Sequence, residues 1–229
     1  MARNIETLAR IPLFRALPEG DIRKLDTQCV WRRARAGETV LEYDDGGDEV
    51  YFVVVGKARV RIQAVSGKEA ILRDIGDGEF FGELAAIDGR PRSASIVATT
   101  DSTVARMPPG VFLDIVHRRP EVCDAILKLL ASQVRMLANR VNEFSVLDAR
   151  GRIRAELLRL AKQRSGSPSA IISPPPTHAD LAARVCCRRE AVTRELNALA
   201  RAGAIERRKG AIVLTDPASL SESVERMKL

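Results

Sequence analysis

The chain has 229 residues, 45% of them hydrophobic and 29% charged, with a net charge of +7. That length accommodates two domains with their own cores, and no apolar run approaches the length of a membrane-spanning helix. The charge is uneven: residues 149–229 carry 16 Lys/Arg against 8 Asp/Glu, whereas residues 1–148 carry 21 against 22. A basic C-terminal third beside a near-neutral remainder points to a nucleic-acid-binding module attached to a sensor. The segment Met1-Ala2-Arg3-Asn4-Ile5-Glu6 has no signal-peptide hydrophobic core, so the cytoplasm is the expected location.

Residues 1–28 contain helix-like pieces around Leu13-Phe14 and Asp21–Leu25. From Val30 to Met107 the pattern turns strand-like. Short β-branched runs at 39–41, 49–55, 58–62, 70–72, 95–98 and 102–105 alternate with turns at Asp45-Gly46-Gly47, Gly56-Lys57, Ser66-Gly67-Lys68 and Asp77-Gly78. Many short strands at close spacing predict an antiparallel barrel or jelly roll.

Within this region Phe81–Ala98 carries the most chemistry. Gly82-Glu83-Leu84-Ala85 opens a short helix, and an Asp88-Gly89-Arg90-Pro91 turn separates it from Arg92-Ser93-Ala94. Arg92 offers a planar, permanently charged fork suited to phosphate oxygens. Glu83 is out of place beside an anion unless the ligand also carries a hydroxyl donor, such as a ribose 2′-OH. The stretch reads as a ribose-phosphate pocket; the alternative is a solvated turn with an exposed Glu83–Arg92 salt bridge.

Pro108-Pro109-Gly110 ends the strands, residues 111–119 form a short helix, and Pro120 opens a longer one. Along it Leu127, Leu130, Val134, Leu137, Val141 and Phe144 step by 3, 4, 3, 4, 3. This a/d seam, flanked by Gln133, Arg135, Asn139, Arg140 and Asn142, predicts a parallel coiled-coil homodimer, with packing on its own domain as the alternative. Asp148 then caps a further helix. Residues 165–176, ending in Pro174-Pro175-Pro176, read as a loop-rich insert.

Thr177-His178-Ala179-Asp180 resembles a capping box, and the helix it opens has an apolar side of Leu181, Ala182 and Val185. After a turn at Cys186-Cys187, a second helix runs from Arg188 to Leu199. Val192, Leu196 and Leu199 face inward, leaving Arg189, Glu190, Thr193 and Arg194 for a partner. Residues 203–214 read as a β-hairpin. Such a helix pair fits helix-turn-helix geometry. Cys29, Cys123, Cys186 and Cys187 lack metal-ligand spacing and are expected to be reduced packing residues. His117 and His178 are too isolated for a metal or haem site and read as surface or capping residues.

The run Phe81-Gly82-Glu83-Leu84 followed by Arg92-Ser93-Ala94, together with Arg189-Glu190-Ala191-Val192-Thr193-Arg194, resembles the phosphate-binding cassette and recognition helix of the cyclic-AMP receptor protein / fumarate-nitrate regulator (CRP/FNR) family of bacterial transcription factors. The likeness extends along nearly the whole chain. It implies an α+β protein with three parts: an N-terminal β jelly-roll cyclic-nucleotide-binding domain over 1–119, a dimerisation helix over 120–147, and a C-terminal winged helix-turn-helix domain over 148–229. By that resemblance Glu83 binds the ribose 2′-OH and Arg92 the cyclic phosphate. Ser93 touches phosphate or base, and Gly82, Glu83 and Ser93 amides line the site, with Leu84 and Ala94 beside them. Leu137 and Ala138 stand where the cyclic-AMP sensor places hydroxyl side chains against adenine. Neither can hydrogen-bond, so cyclic GMP stands beside cyclic AMP, with cyclic AMP leading.

The resemblance further implies guanine contacts from Arg189 and Arg194, a cytosine contact from Glu190, and phosphate contacts from Thr177, Arg188, Arg201 and Lys209. Cys186 departs from the glycine that many relatives place in the turn, which implies a strained φ. The implied partners are a second copy of the chain, double-stranded DNA with a near-palindromic site, a cyclic mononucleotide and RNA polymerase, with no membrane and no cofactor. An enzyme is disfavoured because no nucleophile–base set, P-loop or metal cluster occurs. A regulator of the same fold that is gated by another signal, or by none, is the alternative.

Overall fold

The computed structural model describes residues 6–63, 69–163 and 168–228. The chain forms two compact units, Met1–Gln133 and Val134–Leu229. In the first, two 3₁₀ turns (Leu8–Arg10 and Pro12–Phe14) precede α1 (Glu19–Gln28). Then come β1 (Val30–Ala34), β2 (Thr39–Leu41), β3 (Val50–Val55), β4 (Ala58–Gln63), β5 (Glu69–Ile75) and β6 (Phe80–Phe81). α2 (Glu83–Asp88), β7 (Ser95–Ala98), β8 (Ser102–Met107) and α3 (Pro109–Arg118) follow, and α4 (Pro120–Val146) continues into the second unit.

The strands form two antiparallel four-stranded sheets, ordered β1-β8-β3-β6 and β2-β7-β4-β5. The continuous apolar run of β3 follows from its position. Tyr51 and Val53 join Val40, Ile75, Phe81, Ile96 and Val104 between the sheets. Val50, Phe52 and Val54 point the other way, into a second core with Phe14, Ile22, Leu25, Phe112, Ile115 and Val122 from the helices. A strand buried on both faces has no polar alternation to show. β1 and the two-residue β6 are missing from the strand-like runs, and the expected turn at 66–68 lies outside the described residues.

In the second unit α5 (Ala149–Leu160) starts where expected, with the Gly151 N–H donating to Asp148 Oδ1 at 2.9 Å. β9 (Lys162–Gln163), β10 (Ala170–Ile172), α6 (His178–Arg184), α7 (Arg189–Arg201), β11 (Ile205–Arg208), β12 (Ala211–Leu214) and α8 (Pro217–Arg226) complete it. The expectation of a loop-rich insert over 165–176 is corrected at residues 170–172. β10 pairs with β12 and β9, so the sheet runs β11-β12-β10-β9. Three residues are too few to display a period, and flanking Ser and Pro hid them. Residues 165–167 of that insert lie outside the described residues.

The core of this unit gathers Ile153, Leu157, Leu181, Val192, Leu196, Leu199, Ile205 and Leu214. Beside it, buried Glu156 accepts a hydrogen bond from Arg159 and faces Arg184 at 3.5 Å and Arg140 at 3.6 Å. Arg159 also pairs with Glu143 at 2.6 Å. This ionic cluster joins α4, α5 and α6. Apart from the i,i+3 pair Glu156–Arg159, its contacts join residues 16 or more positions apart, and no spacing announced them.

Candidate functional site

Gly82 sits immediately before α2 with φ 85°, a conformation glycine adopts without strain. A Cβ there would stand 2.8 Å from both Arg92 Nη1 and the Glu49 carbonyl oxygen. Glycine is thus needed twice, for the turn and for the close approach of the arginine. Arg92 lies under that turn and is 3% exposed. Its Nη1 donates to the Gly82 carbonyl at 3.0 Å and its Nη2 to the Glu49 carbonyl at 2.9 Å. Its Cζ lies 6.0 Å from the centre of the Tyr51 ring, which stacks on Phe81 at 5.2 Å. Arg92 Nε is buried and has no hydrogen-bond partner among the described residues, an arrangement that costs free energy unless a ligand meets it.

Glu83 is 5% exposed. Burial, its strongest influence, pushes its carboxyl above the usual range; its own backbone N–H, Arg73 and Arg92 act in the opposite direction. The alternative of an exposed Glu83–Arg92 salt bridge is corrected here, because both groups are buried. The carboxylate beside Arg92 is Glu49, whose Oε2 lies 3.5 Å from Nη2 and whose Oε1 lies 3.2 Å from Arg106 Nη1. Sequence reasoning missed Glu49, which is 43 positions from Arg92 and is brought there by strand pairing. Of the other cassette residues, Ala94 is buried, whereas Leu84 and Ser93 are exposed.

On α4 the seam residues Leu127, Val134, Leu137, Val141 and Phe144 are exposed, Val134 and Val141 about two-thirds so. Leu130 is half-buried and packs on the first unit's helical core. Ala138 is exposed.

In the second unit the capping box at the start of α6 is complete. The Asp180 N–H donates to Thr177 Oγ1 at 3.0 Å and the Thr177 N–H to Asp180 Oδ2 at 3.4 Å. Cys186 has φ 50°, the left-handed conformation its place in the turn implied. It is exposed, which corrects its expected role as a packing residue. On α7, Val192, Leu196 and Leu199 are buried and Arg189, Glu190 and Arg194 exposed. Buried Glu195 was not foreseen; Arg154 Nε donates to it at 2.6 Å. Thr193 is half-buried, with its Oγ1 2.8 Å from His178 Nδ1. Thr177, Arg188, Arg201 and Lys209 are exposed, Lys209 in the turn between β11 and β12. This presents a mostly cationic helix face beside a basic hairpin, a surface complementary to a phosphate backbone.

Comparison with known proteins agrees with both halves. Residues 31–119 match the cyclic nucleotide-binding domain and residues 151–223 the Crp-like helix-turn-helix domain. The cyclic AMP receptor protein of Thermus thermophilus is 31% identical over 211 residues, covering 92% of this chain and 95% of the relative. A CRP-like cAMP-activated global transcriptional regulator of Mycobacterium tuberculosis is 28% identical over 219 residues, covering 94% and 97%. A mutant CooA structure from Carboxydothermus hydrogenoformans superposes with a TM-score of 0.75 at 20% identity, covering 86% of this chain and 88% of the other, and attests the fold. No helix among the described residues is long and apolar enough to cross a membrane. The chain belongs to the CRP/FNR family of transcription regulators, with an N-terminal cyclic nucleotide-binding domain and a C-terminal helix-turn-helix DNA-binding domain.

Proposed function

We propose that the protein is a cytoplasmic homodimer whose affinity for a near-palindromic DNA site rises when it binds a cyclic mononucleotide, cyclic AMP first and cyclic GMP second. The observation that carries this reading is the pairing of two buried, oppositely charged side chains on one cassette: Arg92 with an unpartnered Nε, and Glu83 at a desolvation cost. Such costs persist where a ligand offsets them. Arg92 takes the phosphate, Glu83 accepts from the ribose 2′-OH, and Ser93 and backbone amides complete the site. The relatives named for cyclic AMP support the same ligand. The exposed stripe of Leu127, Val134, Leu137, Val141 and Phe144 is the dimer seam. Arg189, Glu190 and Arg194 read base edges with Thr193 beside them, while Thr177, Arg188, Arg201 and Lys209 hold phosphates. The ligand acts by favouring the DNA-competent dimer, which it must bind better than the other state. RNA polymerase is the partner that the DNA-bound dimer serves.

Calorimetric titration with cyclic AMP, cyclic GMP and cyclic di-GMP, followed by gel shifts on a palindromic probe, tests this. Binding of a mononucleotide with a matching gain in DNA affinity is expected. Binding of cyclic di-GMP alone, or DNA affinity indifferent to all three, overturns it in favour of another signal or none.

A further inference from the structure

The carboxylate of Glu49 lies beside the guanidinium of Arg92, with Oε2 3.5 Å from Nη2. Two of the guanidinium's donors are committed to the carbonyls of Gly82 and Glu49. The face of Nη2 that remains is covered by Glu49 Oε2 at 3.5 Å. Gly47 leaves room for this pair, since a Cβ there would meet Glu49 Oε2 at 3.2 Å and Arg92 Nη2 at 3.4 Å. A phosphate placed on Arg92 would therefore sit against a carboxylate, and two anions at such range repel by a substantial fraction of what the arginine gains. A second cation is already in place to relieve this. Arg106 Nη1 lies 3.2 Å from Glu49 Oε1, and Arg106 is directly opposite Tyr51 in the β3–β8 ladder. The three side chains grade from buried Arg92 through partly exposed Glu49 to more exposed Arg106, so the carboxylate has an open side to move toward.

We propose that Glu49 is an internal counter-ion of Arg92 which the ligand's phosphate displaces onto Arg106, so that the Glu49–Arg106 pair sets the nucleotide concentration at which the protein responds. This rests on the reading of Arg92 as the phosphate ligand. It makes Glu49 a positioning residue that opposes binding and Arg106 one that assists it without touching the nucleotide. The two roles are linked, because Arg106 matters only while there is a carboxylate to hold.

A double-mutant cycle measured by calorimetry with cyclic AMP and cyclic GMP tests this in the full chain. Glu49→Gln keeps the size of the side chain and removes the charge; affinity is expected to tighten roughly two- to fivefold, the range of a partly exposed ion pair. Arg106→Gln should weaken binding by a similar factor. The doubly substituted protein should bind like Glu49→Gln alone. Adenosine, which lacks the phosphate, should bind the wild type and Glu49→Gln equally. Unchanged or weaker binding by Glu49→Gln overturns the proposal. So does an Arg106→Gln loss that persists when Glu49→Gln is already present, which would make Arg106 a direct ligand contact. Absence of cyclic-nucleotide binding by the wild type and every variant overturns the site itself, a result distinct from wild-type binding that ignores Glu49.

Discussion

The two candidate surfaces handle charge in opposite ways. In the first unit Arg92 and Glu83 are buried, and two carbonyls, a counter-ion and the Tyr51 ring hold Arg92 in place. In the second, Arg188, Arg189, Glu190, Arg194 and Lys209 are exposed, mounted on a helix and hairpin whose opposite faces are packed. An enclosed site gives up folding stability for preorganisation and gains contacts little screened by salt. An exposed surface costs the fold little but reads its partner through water and ions. Substitutions at the enclosed pair should therefore alter stability and binding together, and those at the exposed residues of the second surface should alter chiefly binding.

Arg92→Ala is the most severe way to test this. It removes a buried, charge-assisted contact worth about 2–5 kcal/mol of binding and also strips two carbonyls of their donor. Cyclic-nucleotide heat should vanish in calorimetry, and the melting temperature should fall while the protein still folds. Unchanged nucleotide affinity would remove Arg92 from the site. Next in size is Arg189→Ala, expected to cost about 1–3 kcal/mol on the preferred sequence and to relax one base position. Its melting temperature and nucleotide affinity should not change. A loss of equal size on every DNA sequence in a gel-shift series would reduce Arg189 to a phosphate contact.

The same contrast governs what could be read from the sequence. The inward side of α7 was visible because Val192, Leu196 and Leu199 repeat at helical spacing, and their burial leaves Arg189, Glu190 and Arg194 outward by geometry. Most strands of the first unit showed through their β-branched runs and glycine turns. The chemistry of Glu83 and Arg92 was legible as residue types in a short motif, but their enclosure was not. That of Arg92 depends on Glu49 and Tyr51, which strand pairing delivers from a distant part of the chain. Glu195, Arg154 and the Glu156 cluster stayed hidden for the same reason: a buried ion pair between distant elements leaves no local pattern. β10 was lost because three residues between serines and prolines carry no period.

Glu83→Gln separates the two costs within the enclosed site. Burial raises the carboxyl's pKa above its ordinary 4.5. The folded state therefore holds the proton better than the unfolded state does, and stability declines as pH rises through and above that ordinary value. At neutral pH the ionised group is a burden on the fold, and a neutral amide removes it. Melting without nucleotide should occur at a higher temperature in Glu83→Gln. The ribose hydroxyl would then meet a neutral acceptor, so affinity should drop by about tenfold, the difference between a charge-assisted and an ordinary hydrogen bond. If stability and affinity fell together, Glu83 would be a structural residue of the cassette turn.

The smallest effect belongs to the exposed surface, where one titrating group is half-buried. His178 opens α6 and lies 2.8 Å from Thr193 on α7. Burial first, then Arg207 on β11, then Arg189 on α7, hold its ring below the ordinary 6.5. The unfolded chain therefore takes up this proton more readily than the folded one. The resulting stability is fully present above the ordinary value and is lost as pH falls through it toward the folded value. Thermal melts of the full chain at about pH 7.5 and about pH 5.5, values that bracket the ordinary histidine pKa, should show a small acid-side loss in the wild type. His178→Gln has no proton to gain there and should show a smaller one. Equal losses in both proteins would mean that the cationic surroundings of Arg189 and Arg207 are too well solvated to act on the ring, and that even this corner of the reading surface costs the fold nothing.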